Sequence, residues 1–155
     1  LKPLMLLWLA QNIALTASAL LRLDHYVGLY GLTWLRLAAA IWMGLVALGL
    51  MLTLWQIARA RPNGWLLLRC ALLGLATLYL CSFVNFAAVI ARANLDHPAL
   101  DLAYICTLGP MASAELSAHP RGQVCVIDPP QITGWRDWGF RAARVLRYTR
   151  SSTKG

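Results

Sequence analysis

Residues 34–90 decide the fold, and they read WLRLAAAIWMGLVALGLMLTLWQI, then ARARPNG, then WLLLRCALLGLATLYLCSFVNFAAVI. The outer two stretches, residues 34–57 and 65–90, each carry a single Arg, close to their start. An apolar run of about twenty residues is the length that an α-helix needs to cross a bilayer. Because Pro62 in the short intervening stretch cannot continue a helix, the two runs predict a pair of antiparallel membrane spans.

Outward from this pair, the chain contains one more apolar run and one polar region. Residues 4–21 are uncharged and can just span a bilayer, while residues 22–33 combine charge, Tyr and Gly and predict an interfacial loop or a short surface helix. The sequence therefore predicts an all-α membrane protein with three transmembrane helices and a small C-terminal soluble tail. The transmembrane region is predicted at 1–97 and the tail at 98–155, with spans at about 4–21, 34–57 and 65–90.

The composition fits a lipid environment, since 59% of the residues are hydrophobic and 13% are charged, against roughly 25% charged in soluble domains. The formal net charge of +8 does not indicate a nucleic-acid partner, because the basic residues flank apolar runs and form no RNA- or DNA-binding motif. Membrane lipids are the expected partner. The chain starts Leu-Lys-Pro, so we also expect a partner membrane protein or upstream helices of the same protein.

The distribution of arginine predicts how the spans are oriented. Arg59, Arg61 and Arg69 lie around the turn between the second and third spans, whereas Arg22 and Arg36 lie at the opposite ends. The positive-inside rule places the more basic side in the cytoplasm. The tail is therefore expected outside, which is the periplasm in a Gram-negative cell.

Small and weakly polar side chains recur with helical spacing on one face of each of the last two spans. Such seams let helix backbones approach closely in lipid. We predict that the two spans pack along a seam formed by Ala40, Gly44, Ala47, Cys70, Gly74, Thr77, Cys81 and Asn85.

The tail is predicted to be small and irregular. Residues 98–116 indicate a short helix, and residues 123–128 alternate loosely like a short strand. Cys106 and Cys125 would form a disulfide in an oxidising compartment and would remain buried thiols in the cytoplasm. We predict the disulfide, because the arginine distribution places the tail outside.

Residues 135–150 predict a terminal amphipathic helix. Trp135 and Trp138 fall on its apolar arc, and Arg141, Arg144 and Arg147 fall on the opposite side. Two interpretations are open. The helix could lie flat on an anionic membrane with Trp inward and Arg toward the phosphates, or it could close the tail domain and leave its basic face in water.

The motifs of common enzymes are absent from the sequence: there is no Walker A loop, dinucleotide fingerprint, nucleophile elbow, zinc-protease motif or CxxC pair. We therefore expect neither enzyme activity nor a cofactor. The pairs Asp24-His25 and Asp96-His97 could together ligate a metal. Because His–Asp pairs at helix ends more often cap a helix or contact solvent, no metal site is predicted.

A family resemblance rests on the run Tyr30-Gly31-Leu32-Thr33 followed by Arg36. The other residues that take part in it are Tyr26, Asn85, Ala91, Asn94, Leu100, Asp101, Tyr104, Leu108, Gly109, Pro110, Ala114, Trp135, Arg136 and Trp138. Together they resemble the C-terminal half of a bacterial family of polytopic membrane proteins known as a domain of unknown function, in which a Tyr-Gly-Leu-Thr-x-x-Arg loop precedes the last two spans. The resemblance implies further spans upstream and a multi-pass location in the bacterial inner membrane, and it implies no activity.

The Tyr-Gly-Leu-Thr-x-x-Arg run also has a physical interpretation of its own. Gly31 can supply a turn, Thr33 can cap the second span, and Arg36 can reach loop carbonyls or phosphates. Alternatively, Tyr30, Thr33 and Arg36 form an external binding patch.

Three functions remain open at this point. We predict a non-catalytic accessory that senses or binds at the outer face and packs with partner helices. A structural subunit of a larger membrane complex is the first alternative. A transporter component is the second and weaker one, because Gln11, Asn12 and Asn85 are the only candidates for polar groups at mid-membrane.

Overall fold

The computed structural model describes residues 2–98 and 100–152, with side chains as far as Thr149. Helices form most of this part of the chain, and it contains no strand. The helices are α1 (Lys2–Tyr30), α2 (Trp34–Ala58), α3 (Asn63–Phe83), α4 (Phe86–Leu95), α5 (Leu102–Cys106), α6 (Ser113–Ala118) and α7 (Phe140–Ser152), with one 3-10 turn at Pro110–Ala112.

Helices α1, α2 and α3 are each long and apolar enough to cross a membrane, with mean hydropathies of 1.7, 2.2 and 1.9 over an apolar stretch of 18 residues. The three predicted spans are confirmed, and the chain is a membrane protein. Residues 22–33, predicted as an interfacial loop or a short surface helix, do not form a separate element for most of their length, because α1 continues to Tyr30. No proline interrupts this stretch, and the helix ends only where Gly31 adopts a positive φ of 76°.

The third predicted span ends earlier than the apolar run that suggested it. Asn85 leaves the helical conformation, with φ −85° and ψ 88°, and its side chain accepts a hydrogen bond from the Ala88 amide at 3.3 Å. Asn competes with helix backbone in this way, which makes it a good N-cap and a poor helix-interior residue. Residues 65–90 are therefore two helices, and the prediction that Asn85 belongs to the α3 seam is wrong.

The chain divides into two compact units. The first contains the chain up to Leu29 together with Leu35–Ser82, and the second contains Tyr30–Trp34 together with the chain from Phe83 onward. The α1–α2 loop and α4, which the sequence assigned to the transmembrane region, thus fold with the tail.

In the first unit, the turn between α2 and α3 is built by a buried glutamine. Gln56 donates hydrogen bonds to the Asn63 side chain at 2.7 Å and to the Arg61 carbonyl at 3.3 Å. Ala60 adopts a positive φ of 50°, and Pro62 follows directly. The predicted tight turn at ARARPNG is confirmed, since α2 ends at Ala58 and α3 begins at Asn63. The antiparallel packing of the two helices stays a prediction.

The glycines of the predicted seam have open space beside them. A Cβ added at Gly44 or Gly74 would meet no other heavy atom within 4 Å, and Cys70 is exposed. Among the described residues, no neighbouring helix comes close to these two glycines, so packing along the seam stays a prediction.

The second unit has a small core of its own. Its most deeply buried side chains come from α4, α5 and α6, and α7 covers them with Ala142 and Val145, which are 6% and 4% exposed. The disulfide between Cys106 and Cys125, whose Cα atoms are 5.3 Å apart, ties α5 to the segment that follows α6. The predicted disulfide is confirmed. A unit this small gains stability from such a bond, by about 3 kcal/mol for a loop of this length.

Two predictions for the tail are wrong. Residues 123–128 form no strand, because the chain makes tight turns there instead: the Gly122 amide bonds to the His119 carbonyl at 2.9 Å and the Cys125 amide to the Gly122 carbonyl at 3.0 Å. The terminal helix begins at Phe140, because a turn from Gly134 to Asp137 occupies the preceding stretch. Trp135 and Trp138 therefore lie outside the helix.

The apolar face of α7 is directed toward the core of the second unit. Because Ala142 and Val145 are buried there, this face is not available to lie flat on a membrane. Of the two interpretations of the C-terminal segment, the geometry favours the helix that closes the tail domain. Arg141, Arg144 and Arg147 are exposed on its other side.

Candidate functional site

The loop between α1 and α2 is held by a buried amide from α4. The Leu32 amide donates to Asn94 Oδ1 at 2.7 Å, and Asn94 Nδ2 donates to the Leu32 carbonyl at 2.6 Å. One side chain thus satisfies both polar groups of one residue's backbone, as a neighbouring strand would. Asn94 is itself buried, so both bonds are needed to offset the desolvation of its amide.

The positive φ of Gly31 is required by this arrangement. At φ 76° the residue lies in the region that favours glycine, and an added Cβ would collide with Asn94 Oδ1. The prediction of a permissive turn at Gly31 agrees with this geometry, and its cause is the close approach of the Asn94 side chain.

Two further side chains hold the start of α2. The Trp34 amide donates to the Tyr104 hydroxyl at 2.9 Å, and the Trp34 ring packs edge-on against Phe86 with 6.1 Å between ring centroids. Tyr104 is positioned by α5, whose N-cap Asp101 accepts from the Tyr104 amide at 3.0 Å. We refer to Asn94, Tyr104 and Phe86, acting on residues 31–34, as the loop clasp.

Comparison with known proteins identifies the family. The sequence profile described as "Domain of unknown function (DUF4153)" matches residues 1–118, most of the chain. The chain belongs to the DUF4153 family. No curated protein and no solved structure matches it.

The DUF4153 match contains the whole loop clasp and stops at the end of α6. Residues after 118, which include Cys125 and α7, lie outside it. The clasp is thus part of the family domain, whereas the disulfide joins the family domain to the segment that follows.

The three residues of the predicted binding patch are divided between the two units, and the patch stays a prediction. Tyr30 ends α1 and is 63% exposed, and Thr33 lies in the clasped loop, both in the second unit. Thr33 directly precedes α2, where the sequence placed a cap. Arg36 is a half-buried residue of α2 and belongs to the first unit.

Sequence reasoning missed the residues that hold this loop. Asn94 and Tyr104 were part of the family resemblance, but neither received a role. Their side chains gave one indication of a role, because a buried or half-buried Asn or Tyr needs a hydrogen-bond partner. Their partners lie 62 and 70 residues away in the sequence, so no local pattern names them.

Asp96, which the sequence offered as a metal ligand, pairs instead with a histidine outside the two Asp-His pairs. Asp96 contacts His119 Nε2 at 3.3 Å, across the second unit, and the His119 Nδ1 accepts from the Arg121 amide at 3.2 Å. Arg121 also donates to the Leu95 carbonyl at 3.3 Å, which fixes the end of α4. In the described part of the chain, no three His, Cys, Asp or Glu side chains lie close enough to hold a metal ion.

The geometry of the clasp suits mechanical attachment. Two of its three hydrogen bonds are to the backbone of Leu32 in the α1–α2 loop, and the third is to the amide of Trp34, the first residue of α2, whose ring makes the aromatic contact. Such contacts fix the path of a chain segment.

Replacement of Gly31 tests the clasp most directly. Gly31→Ala combines an unfavourable φ with a collision against Asn94, and we expect it to destabilise the second unit by about 2 kcal/mol or more. The matched control is Gly28→Ala in α1, where an added Cβ meets nothing within 4 Å. Within a helix this control should be neutral or stabilising, by up to about 1 kcal/mol.

The measurement is thermal unfolding of the full chain in lipid nanodiscs, followed by near-ultraviolet circular dichroism. Equal transition temperatures for the two variants would contradict the clasp geometry.

Proposed function

We propose that this DUF4153 chain is a non-catalytic membrane accessory whose tail binds or senses something at the outer face and passes the result to the spans. The observation that carries the proposal is the loop clasp. It makes the connection between α1 and α2 a part of the tail unit, so that a change in the tail reaches the ends of two spans directly.

The chain of contacts from the tail to the loop is short. The disulfide holds the end of α5 at Cys106, α5 carries Tyr104, and Tyr104 accepts the hydrogen bond from the Trp34 amide. A ligand that shifts α5 or α4 would therefore change the strain on the first turn of α2. Tyr30, whose side chain is 63% exposed, is the proposed point of contact with such a ligand, and Thr33 lies in the same unit.

The proposed location is the inner membrane of a bacterium, with the tail in the periplasm. Two arguments support it: the arginine-rich turn between α2 and α3 belongs in the cytoplasm by the positive-inside rule, and a disulfide persists in an oxidising compartment. The second argument is independent of the charge distribution.

Hydrogen exchange of the loop amides tests whether the tail controls the loop. Selective reduction of Cys106–Cys125 in the full chain should loosen α5 and speed exchange of the Trp34 amide by roughly tenfold, the loss expected for one hydrogen bond. Tyr104→Phe removes the hydrogen-bond acceptor itself and shows the largest increase in the Trp34 exchange rate that loss of this bond can cause. The Ala88 amide, which bonds locally to Asn85, serves as the internal control and should not change.

If Tyr104→Phe exposes the Trp34 amide and reduction does not, the tail holds the loop without transmitting its own state to it. That result would contradict the proposed mechanism.

Labelling of the tail cysteines tests the proposed location. With Cys70 and Cys81 replaced by Ser, an impermeant maleimide added to intact cells should label the chain only after reduction of the disulfide. Labelling that requires an opened inner membrane would invert the orientation and place the tail in the cytoplasm. The Cys106→Ser, Cys125→Ser chain is the unlabelled control.

A structural subunit of a larger complex is the second candidate function, and the exposure of the spans favours it. The most apolar windows of α1, α2 and α3 are 6%, 0% and 0% buried, so nearly all of their surface is left for lipid or for other helices. Under this proposal, mild detergent extraction brings a membrane protein along in fixed stoichiometry. A clean monomer in native mass spectrometry would exclude a stable complex.

A further inference from the structure

The exposed side of α7 carries an unusual combination of side chains. Arg144 and Arg147 line a cleft of about 240 Å³ together with Trp138, Phe140, Ala143 and Tyr148. Both arginines are exposed, and neither forms an ion pair with any residue that the structure describes. Trp138 is 63% exposed and Phe140 52%. Two free guanidinium groups thus border exposed aromatic rings.

The position of this cleft is set by the end of the third span. The Phe140 ring packs edge-on against the Phe83 ring, with 5.7 Å between centroids, and Phe83 is the last residue of α3. The end of a span lies at the boundary between hydrocarbon and headgroups, where Trp and Tyr rings are enriched in membrane proteins. Phe140, which lines the cleft, thus contacts the last residue of the third span.

We propose that this cleft binds the phosphodiester headgroup of an anionic phospholipid. The planar guanidinium groups of Arg144 and Arg147 match the phosphate oxygens and can bond them in pairs. The rings of Trp138 and Phe140 contact the glycerol and upper acyl carbons. The cleft is smaller than the roughly 300–1,000 Å³ of typical small-molecule pockets, so it holds a headgroup and leaves the acyl chains in the bilayer.

This inference differs from the flat amphipathic helix that the sequence suggested. There, the apolar arc of the helix would enter the membrane, whereas here that arc is buried in the tail and the basic face meets the lipid. The surrounding charge supports the assignment: Arg136 and Arg141 add two positive charges nearby, and the carboxylate of Asp137 already accepts a hydrogen bond from Thr133 at 2.6 Å. Anionic lipid is thereby favoured over zwitterionic lipid.

The test is a titration of the full chain in detergent micelles with phosphatidylglycerol, with the first bound lipid followed by native mass spectrometry. Since each Arg near an anionic headgroup contributes a factor of roughly five in affinity, Arg144→Gln with Arg147→Gln should raise the dissociation constant about thirtyfold. Arg144→Lys with Arg147→Lys keeps the charge and loses the paired bonds, so an intermediate increase is expected. Phosphatidylcholine should bind the unmodified chain weakly.

The matched control is Arg61→Gln with Arg92→Gln, which changes the net charge equally at exposed positions outside the cleft. We expect less than about a threefold change for it. An equal loss in both double variants would show diffuse attraction and overturn the site, as would no loss in either. Displacement of the lipid by excess inorganic phosphate would assign the cleft to free phosphate and overturn the lipid proposal. Intact disulfide mass and an unchanged near-ultraviolet spectrum confirm that each variant is folded.

Discussion

The pairing of the Asn94 side-chain amide with the Leu32 peptide is the constraint on which the second unit depends. It satisfies both polar groups of one peptide residue with a single buried side chain, and each of its two bonds is short. The φ of Gly31, the approach of Trp34 to Tyr104 and Phe86, and the inclusion of Tyr30–Trp34 in the tail unit all accompany this pairing. A polar group buried this fully would destabilise the unit if either bond were absent.

The features that the sequence predicted are those that local chemistry determines. The number of spans follows from the length of the apolar runs, and the turn between α2 and α3 follows from Pro62 and its neighbours. The disulfide followed from combining the arginine distribution with the only two cysteines outside the spans. Each of these rests on residues close together in the chain or on a small choice of partners.

The loop clasp and Asn85, which sequence reasoning missed, involve polar residues whose role depends on a distant partner. Asn85 has the spacing of a seam residue in α3, yet the carbonyl of Met111, to which its side chain donates at 2.8 Å, lies across the tail unit. An apolar run and helical periodicity describe one face of one helix, and they contain no information about a bond to another segment. The C-terminal segment was missed for a local reason: its Trp and Arg positions fit one helix, but the turn at Gly134 separates the tryptophans from that helix.

The sequence separation within the clasp has a consequence for biosynthesis. Leu32 and its partner Asn94 are 62 residues apart, and Trp34 and Tyr104 are 70 apart, with α2 and α3 in between. The first two spans are therefore synthesised and inserted while the loop between them still lacks its partners. Only when α3 has crossed in the correct direction do α4 and α5 reach the same side as the loop. A wrongly threaded chain cannot close the clasp, because its loop and its tail would lie on opposite sides of the bilayer.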